Sequence, residues 1–172
     1  MARAKVWILS GPKHSGKTTG LLSWCASKDP GVVQGFVTAV SKRGLKVMLD
    51  VETREEAVFE EEIANEDTLE VGTKPYYLSK RGFEFADGIL AKALVLAASH
   101  APDATCWFVV DEIGTLEVLH NAGHYELLSR LLAEWRGHAI IVVREQLCND
   151  VIAKFDLGST VEVIDVERLQ TL

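Results

Sequence analysis

The fold class this sequence predicts is a three-layer α/β sandwich on a mostly parallel central sheet, and three observations predict it. Short apolar runs at residues 5–9, 105–110, 139–143 and 160–164 alternate with segments of helical pattern. The runs Cys106-Trp107-Phe108-Val109-Val110 and 139–143 are apolar without interruption, as expected of strands covered on both faces. The first run feeds a glycine-bounded loop and the second ends at two adjacent acids, and in sheets of this kind ligands sit at the carboxyl ends of the strands.

Taken in order, Lys5 to Leu9 reads as a buried strand, and residues 18–26, with Leu21, Leu22 and Trp24, read as a helix closed by Asp29-Pro30-Gly31. Residues 32–40 and 45–51, joined by Ser41-Lys42-Arg43-Gly44, read as a β-hairpin insert with a basic turn. The acid-rich segment 52–69 contains Glu55, Glu56, Glu60, Glu61 and Glu62 without regular ligand spacing, so a solvated acidic face outweighs a metal site there. Pro75-Tyr76-Tyr77 suggests an extended edge piece, because proline cannot donate to a central ladder. Ser79 stands where it could cap a helix whose Phe83, Phe85, Ile89, Leu90, Ala93, Leu94 and Ala97 recur at three-to-four spacing until Ala101-Pro102-Asp103. Residues 125–135 and 147–155 read as further helices.

The 172 residues suit one domain over 1–172, and 48% hydrophobic with 25% charged residues is enough apolar material for a full core. A net charge of −7 argues against a surface built for nucleic acid. Cys25, Cys106 and Cys148 form no C-x-x-C pair, so neither a disulfide framework nor a zinc site is suggested, and reduced, buried thiols are expected. The first apolar run is too short for a signal peptide and the stretch 89–98 too short to span a bilayer, so a cytoplasmic protein with no membrane partner is expected.

The loop carries the chemistry. Gly11-Pro12-Lys13-His14-Ser15-Gly16-Lys17-Thr18-Thr19 fits the G-x-x-x-x-G-K-T pattern, in which backbone N–H groups wrap phosphate oxygens, the lysine reaches the outer phosphates and the hydroxyl holds Mg²⁺. Gly11 and Gly16 permit close backbone approach, and a helix opening near Lys17 points its unpaired N–H groups at the anion. Lys13 reads equally as a further phosphate contact or a solvent-facing lysine, and His14 as a loop-tip residue.

The companion is Val109-Val110-Asp111-Glu112, which has the form of a Walker B strand. An acid at such a strand end holds Mg²⁺ together with the loop hydroxyl, which assigns Asp111 and Thr18 to the metal. Glu112 is then placed to polarise an attacking water, with Lys17 stabilising charge on the phosphoryl oxygens. Glu117, His120 and His124 share a helical spacing, but Asn121 and Gly123 argue against a helix and so against a metal site. Arg144, just past the run 139–143, could reach a nucleotide or pair with Glu145. No Asn-Lys-x-Asp sequence points to guanine.

On these residues the chain resembles the small P-loop nucleoside-triphosphatase family of the thermophilic and cancer-related nucleoside-triphosphatases. Gly35-Phe36-Val37-Thr38, Tyr77-Leu78-Ser79 with Gly82-Phe83-Glu84, and Asp111-Glu112-Ile113-Gly114 followed by Glu117 look like its landmarks in order. The chain has Thr115-Leu116-Glu117-Val118 where Lys-Met-Glu-Leu is commoner, and His14-Ser15 where Gly-Val is common. The resemblance implies a RecA-like sandwich and Mg²⁺-dependent hydrolysis of nucleoside triphosphates such as ATP and GTP. It also implies nucleotide binding by residues 11–19 and catalytic roles for Lys17 and Glu112. Two alternatives stand beside hydrolysis: a nucleotide or nucleoside kinase with an acceptor pocket in residues 32–78, and a nucleotide-gated switch for an unidentified protein partner.

Overall fold

The computed structural model describes residues 5–71, 76–99, 106–158 and 161–172. Apolar alternation builds the sheet. On β1 (Val6–Leu9), Val6 and Ile8 face one core and Trp7 and Leu9 the other, and β9 (His138–Val143) divides its side chains in the same way. Parallel pairing joins β10 (Val161–Ile164), β1, β9, β8 (Trp107–Ile113) and β2 (Val33–Val40) in that order. Helices cover both faces. α1 (Lys17–Ala26) and α6 (Val166–Leu169) pack Leu21, Trp24 and Leu169 on the core of Trp7, Trp107 and Ile140. On the opposite face α2 (Lys80–Ser99), α4 (Tyr125–Glu134) and α5 (Cys148–Lys154) pack Leu90, Leu128 and Val151 on Ile8, Phe108 and Ile141. The result is the three-layer sandwich that the alternating pattern predicts.

The hairpin is present, with β2 pairing antiparallel to β3 (Lys46–Asp50) and Val40 opposite Lys46. Its place is more central than an insert implies. β2 is itself the parallel neighbour of β8, and β3 carries the main sheet on to β4 (Glu56–Val58). A separate three-stranded sheet follows, in which β7 (Tyr76–Ser79) lies between β5 (Glu60–Glu61) and β6 (Thr68–Val71). Tyr76 to Leu78 therefore belong to a middle strand and not to the expected edge piece. Proline restricts only its own ladder position, and Pro75 precedes the strand and lies outside the described residues.

The acid-rich segment 52–69 thus contains strand as well as exposed turns, because Glu56, Glu60 and Glu61 pair through their backbones while their carboxylates stay near solvent. α3 (Thr115–His120) forms despite Asn121 and Gly123, which sit just beyond it in left-handed conformations that end it. The expected helix stop at Ala101-Pro102-Asp103, and Thr105 and Thr160 of the predicted strands, lie outside the described residues. All three cysteines are free thiols, Cys25 and Cys148 buried and Cys106 half-buried. No helix among the described residues is long and apolar enough to cross a membrane.

Candidate functional site

The site lies at the carboxyl ends of β1 and β8, with β9 between them. β1 ends at Leu9, and the loop that follows turns at Gly11, His14 and Gly16, all with positive φ. Gly11 adopts φ 155° where a Cβ would stand 3.0 Å from Ser15 Oγ, so glycine is required for the tight return. Gly16 precedes the first turn of α1 at φ 79°, and that turn holds no acidic side chain, which leaves its positive end available to an anion. Pro12, Lys13, His14 and Ser15 are exposed on the loop, and Thr19 is exposed in the first turn of α1. His14 is the one non-glycine residue of the loop in the left-handed region, at φ 62°.

The two polar ends of the loop reach different partners. Lys17 Nζ folds back to donate to the carbonyls of Gly11 at 2.8 Å and Pro12 at 2.6 Å and to Ser15 Oγ at 3.3 Å. Thr18 Oγ1 donates to Asp111 Oδ2 at 2.9 Å, so the residues expected to share a metal do meet. Asp111 is fully buried and also accepts from the backbone N–H of Thr38 at 3.1 Å and of Glu112 at 2.9 Å. Burial, reinforced by the neighbouring Glu112 charge, pushes its carboxyl up to about 6 against those three hydrogen bonds. An ionised carboxylate there calls for a cation.

Glu112 owes its aim to an irregularity in β8. Val110 to Ile113 face only Ile141 to Val143 on β9, so β8 carries one extra residue at the two acids, and Glu112 takes φ 62°. The bulge sends Asp111 inward and leaves Glu112 exposed. Glu112 is not free, however. Lys46 Nζ on β3 lies 2.8 Å from both of its carboxylate oxygens. Sequence reasoning missed Lys46, since a single lysine in a strand has no signature. It likewise missed the Thr38 N–H, although Gly35-Phe36-Val37-Thr38 stood out as a unit.

Residues 117–124 serve the structure. Glu117 is buried and accepts from the N–H of Gly114 and of His124, each at 2.8 Å, clamping the turn after β8; burial raises its carboxyl above the ordinary range. His124 packs its ring against Phe36 and Phe83, both at 4.9 Å, and Phe59 at 5.9 Å. Burial pushes its imidazole down to about 3. Such a cage keeps the ring neutral. Arg144 is exposed at the end of β9 and forms no ion pair with Glu145 among the described residues; its carbonyl accepts from Leu147 N and from the Cys148 thiol, which also contacts Ser10 Oγ at 3.1 Å. Beside Lys46 a cavity of about 570 Å³ opens between the basic turn and the strip Glu60 to Ile63, with Lys42 and Arg43 on one wall and Glu60, Glu61 and Glu62 on the other.

Among solved structures, the crystal structure of THEP1 from the hyperthermophile Aquifex aeolicus matches this chain with a TM-score of 0.70 at 20% identity, over 94% of this chain and 89% of that one. The solution structure of a human cancer-related nucleoside triphosphatase matches with a TM-score of 0.68 at 20% identity, over 99% and 95% of the two chains. The shared property at this identity is the fold, a three-layer α/β sandwich on a mostly parallel sheet. No family model matches the chain, and no curated protein matches it in sequence.

Proposed function

We propose that this chain is a nucleoside triphosphatase that uses Mg²⁺ and water to convert nucleoside 5'-triphosphates, ATP and GTP among them, to the diphosphate and phosphate. One observation carries the proposal: the hydroxyl of a phosphate loop, Thr18, lies 2.9 Å from a buried carboxylate, Asp111, whose neighbour Glu112 is turned outward by a bulge. The folds of THEP1 and of the human nucleoside triphosphatase support it.

The donor set fits Mg²⁺. Thr18 Oγ1 and Asp111 Oδ2 are hard oxygen donors already side by side, and one carboxylate with a hydroxyl is what this ion takes from protein when substrate phosphates and water complete its shell. A carboxyl raised to about 6 by burial is also a group whose ionised form a cation would stabilise. When bound, the ion would neutralise charge on the β- and γ-phosphate oxygens.

The remaining work falls to the chain. Backbone N–H groups of residues 11–19 and the first turn of α1 hold the phosphates, and Lys17 exchanges the carbonyls of Gly11 and Pro12 for phosphoryl oxygens. Glu112 orients a water in line with the γ-phosphorus and takes its proton as the new P–O bond forms and the bond to the bridging oxygen breaks. The test is phosphate release from each Mg–triphosphate, with and without nucleoside or monophosphate acceptors. Release that needs no acceptor is expected, and diphosphate formed only with an acceptor and without free phosphate overturns the proposal in favour of a kinase. Glu112→Gln should lower kcat by about 100-fold or more while nucleotide still binds; unchanged turnover would remove Glu112 from its role.

A further inference from the structure

Lys46 makes the shortest and least exposed of the ion pairs among the described residues, and the chemistry above leaves it unused. Its amine stands 2.8 Å from Oε1 and 2.8 Å from Oε2 of Glu112, near the bisector of the carboxylate. A cation there occupies the two inner lone pairs and leaves the outer lone pair of each oxygen for a water. The two partners come from strands that do not touch: β2 lies between β8 and β3. Glu112 spans that gap from a left-handed bulge, a backbone state that non-glycine residues rarely adopt.

On the other side, the Lys46 backbone is pinned. Its carbonyl accepts from Phe59 N at 3.1 Å, its N–H donates to Glu60 Oε2 at 3.3 Å, and it pairs with Val40 across the hairpin. A part-exposed ion pair contributes little to stability, so a contact this short on both carboxylate oxygens, made between strands that do not pair, points to placement of the carboxylate. We propose that Lys46 is a positioning residue, which fixes the Glu112 carboxylate so that an outer oxygen faces the attacking water. The inference rests on the hydrolase reading and deepens it: the hairpin supplies the group that sets the base.

The experiment compares Lys46→Met, Lys46→Arg and, as a control on the same hairpin, Arg43→Ala, in the wild-type and the Glu112→Gln backgrounds. Steady-state and single-turnover phosphate release from Mg–ATP give kcat and KM, binding of a fluorescent ATP analogue gives affinity, and thermal melts check folding. Lys46→Met should lower kcat about 10- to 100-fold with KM and affinity changed by less than roughly threefold. Lys46→Arg, which keeps the charge, should recover most of the rate, and Arg43→Ala should match the wild type. In the Glu112→Gln background Lys46→Met should cost nothing further, because both changes remove one device. Undiminished kcat in Lys46→Met, a change confined to KM and affinity, or an equal loss in both backgrounds would each overturn the role. Wild-type protein that releases no phosphate would sink the hydrolase reading and this one with it, whereas an active wild type with an equally active Lys46→Met sinks this one alone.

Discussion

At the scale of single residues, the groups that announce themselves in the sequence are those that break a pattern. Asp111 and Glu112 interrupt an apolar run, and Lys17 and Thr18 close a glycine-bounded loop, so all four were legible; the 2.9 Å contact of Thr18 with Asp111 joins the two stretches. Lys46 breaks nothing, because a lysine in a half-exposed strand is ordinary, and only the fold brings it onto Glu112. His124 shows the opposite case, a histidine whose spacing from Glu117 suggests a ligand but which the fold encloses in phenylalanines. That enclosure has a consequence in acid. An unfolded imidazole takes a proton near its ordinary 6.5, while the buried ring does so only at about 3, so falling pH favours the unfolded chain throughout that window. Asp111 and Glu117, both raised by burial, act in the opposite sense, since the folded chain takes up their protons first. His124→Phe isolates the histidine, because its backbone bond to Glu117 survives the change. In urea unfolding, the stability of this variant relative to wild type should be more favourable at pH 5 than at pH 7.5 by about 2 kcal/mol. A difference that stays constant with pH would show that the imidazole titrates normally in the folded protein.

At the scale of elements, the long apolar strands and periodic helices were legible because burial on both faces leaves a continuous apolar run. Strands of two to four residues such as β4, β5 and β6 were not, since they are too short for a period and each contains glutamate. The bulge in β8 was equally invisible, because an extra residue shows only against a partner's register. Gly35 lies between these cases: the sequence marked Gly35-Phe36-Val37-Thr38 as a unit, and the pairing of β2 with β8 gives the reason. Gly35 adopts φ 112°, and a Cβ there would stand 2.1 Å from the Val109 carbonyl oxygen, a backbone atom that cannot move aside without breaking the ladder. Three residues on, Thr38 N–H holds Asp111. Gly35→Ala should therefore cost about 3 kcal/mol or more in chemical denaturation and lower phosphate release as well. Gly31→Ala is the matching control, at φ 81° with open space around it, and should cost only the left-handed penalty of about 1 kcal/mol. Equal losses for the two variants would mean that strain, and not the close approach to β8, governs Gly35.

For the whole molecule, the parallel order of β10, β1, β9, β8 and β2 brings the loop after β1 and the acids of β8 to one end of the sheet, and the antiparallel extension through β3 brings Lys46 to that same end. The first placement follows from alternation in the sequence; the second depends on where a hairpin packs, which local pattern does not encode. With Lys17 turned onto loop carbonyls and Thr18 onto Asp111, these groups satisfy one another internally, so the proposed binding of nucleotide would exchange those contacts for its phosphates. Any ligand that binds only the folded chain adds to its stability by mass action. A non-hydrolysable triphosphate with Mg²⁺ at a hundred times its dissociation constant should add about 2.7 kcal/mol, which for a chain of this size raises Tm by roughly 5 to 10 °C. Chelating the metal should remove much of that shift, because Asp111 then has no cation to hold against the phosphates. Lys17→Ala should lose most of it too. Glu112→Gln should keep the full shift while turnover falls if, as proposed, its carboxylate acts on water and not on the bound phosphates. A Glu112→Gln protein that loses the shift as completely as Lys17→Ala would make Glu112 a binding group, and the division of labour between loop and bulge would have to be redrawn.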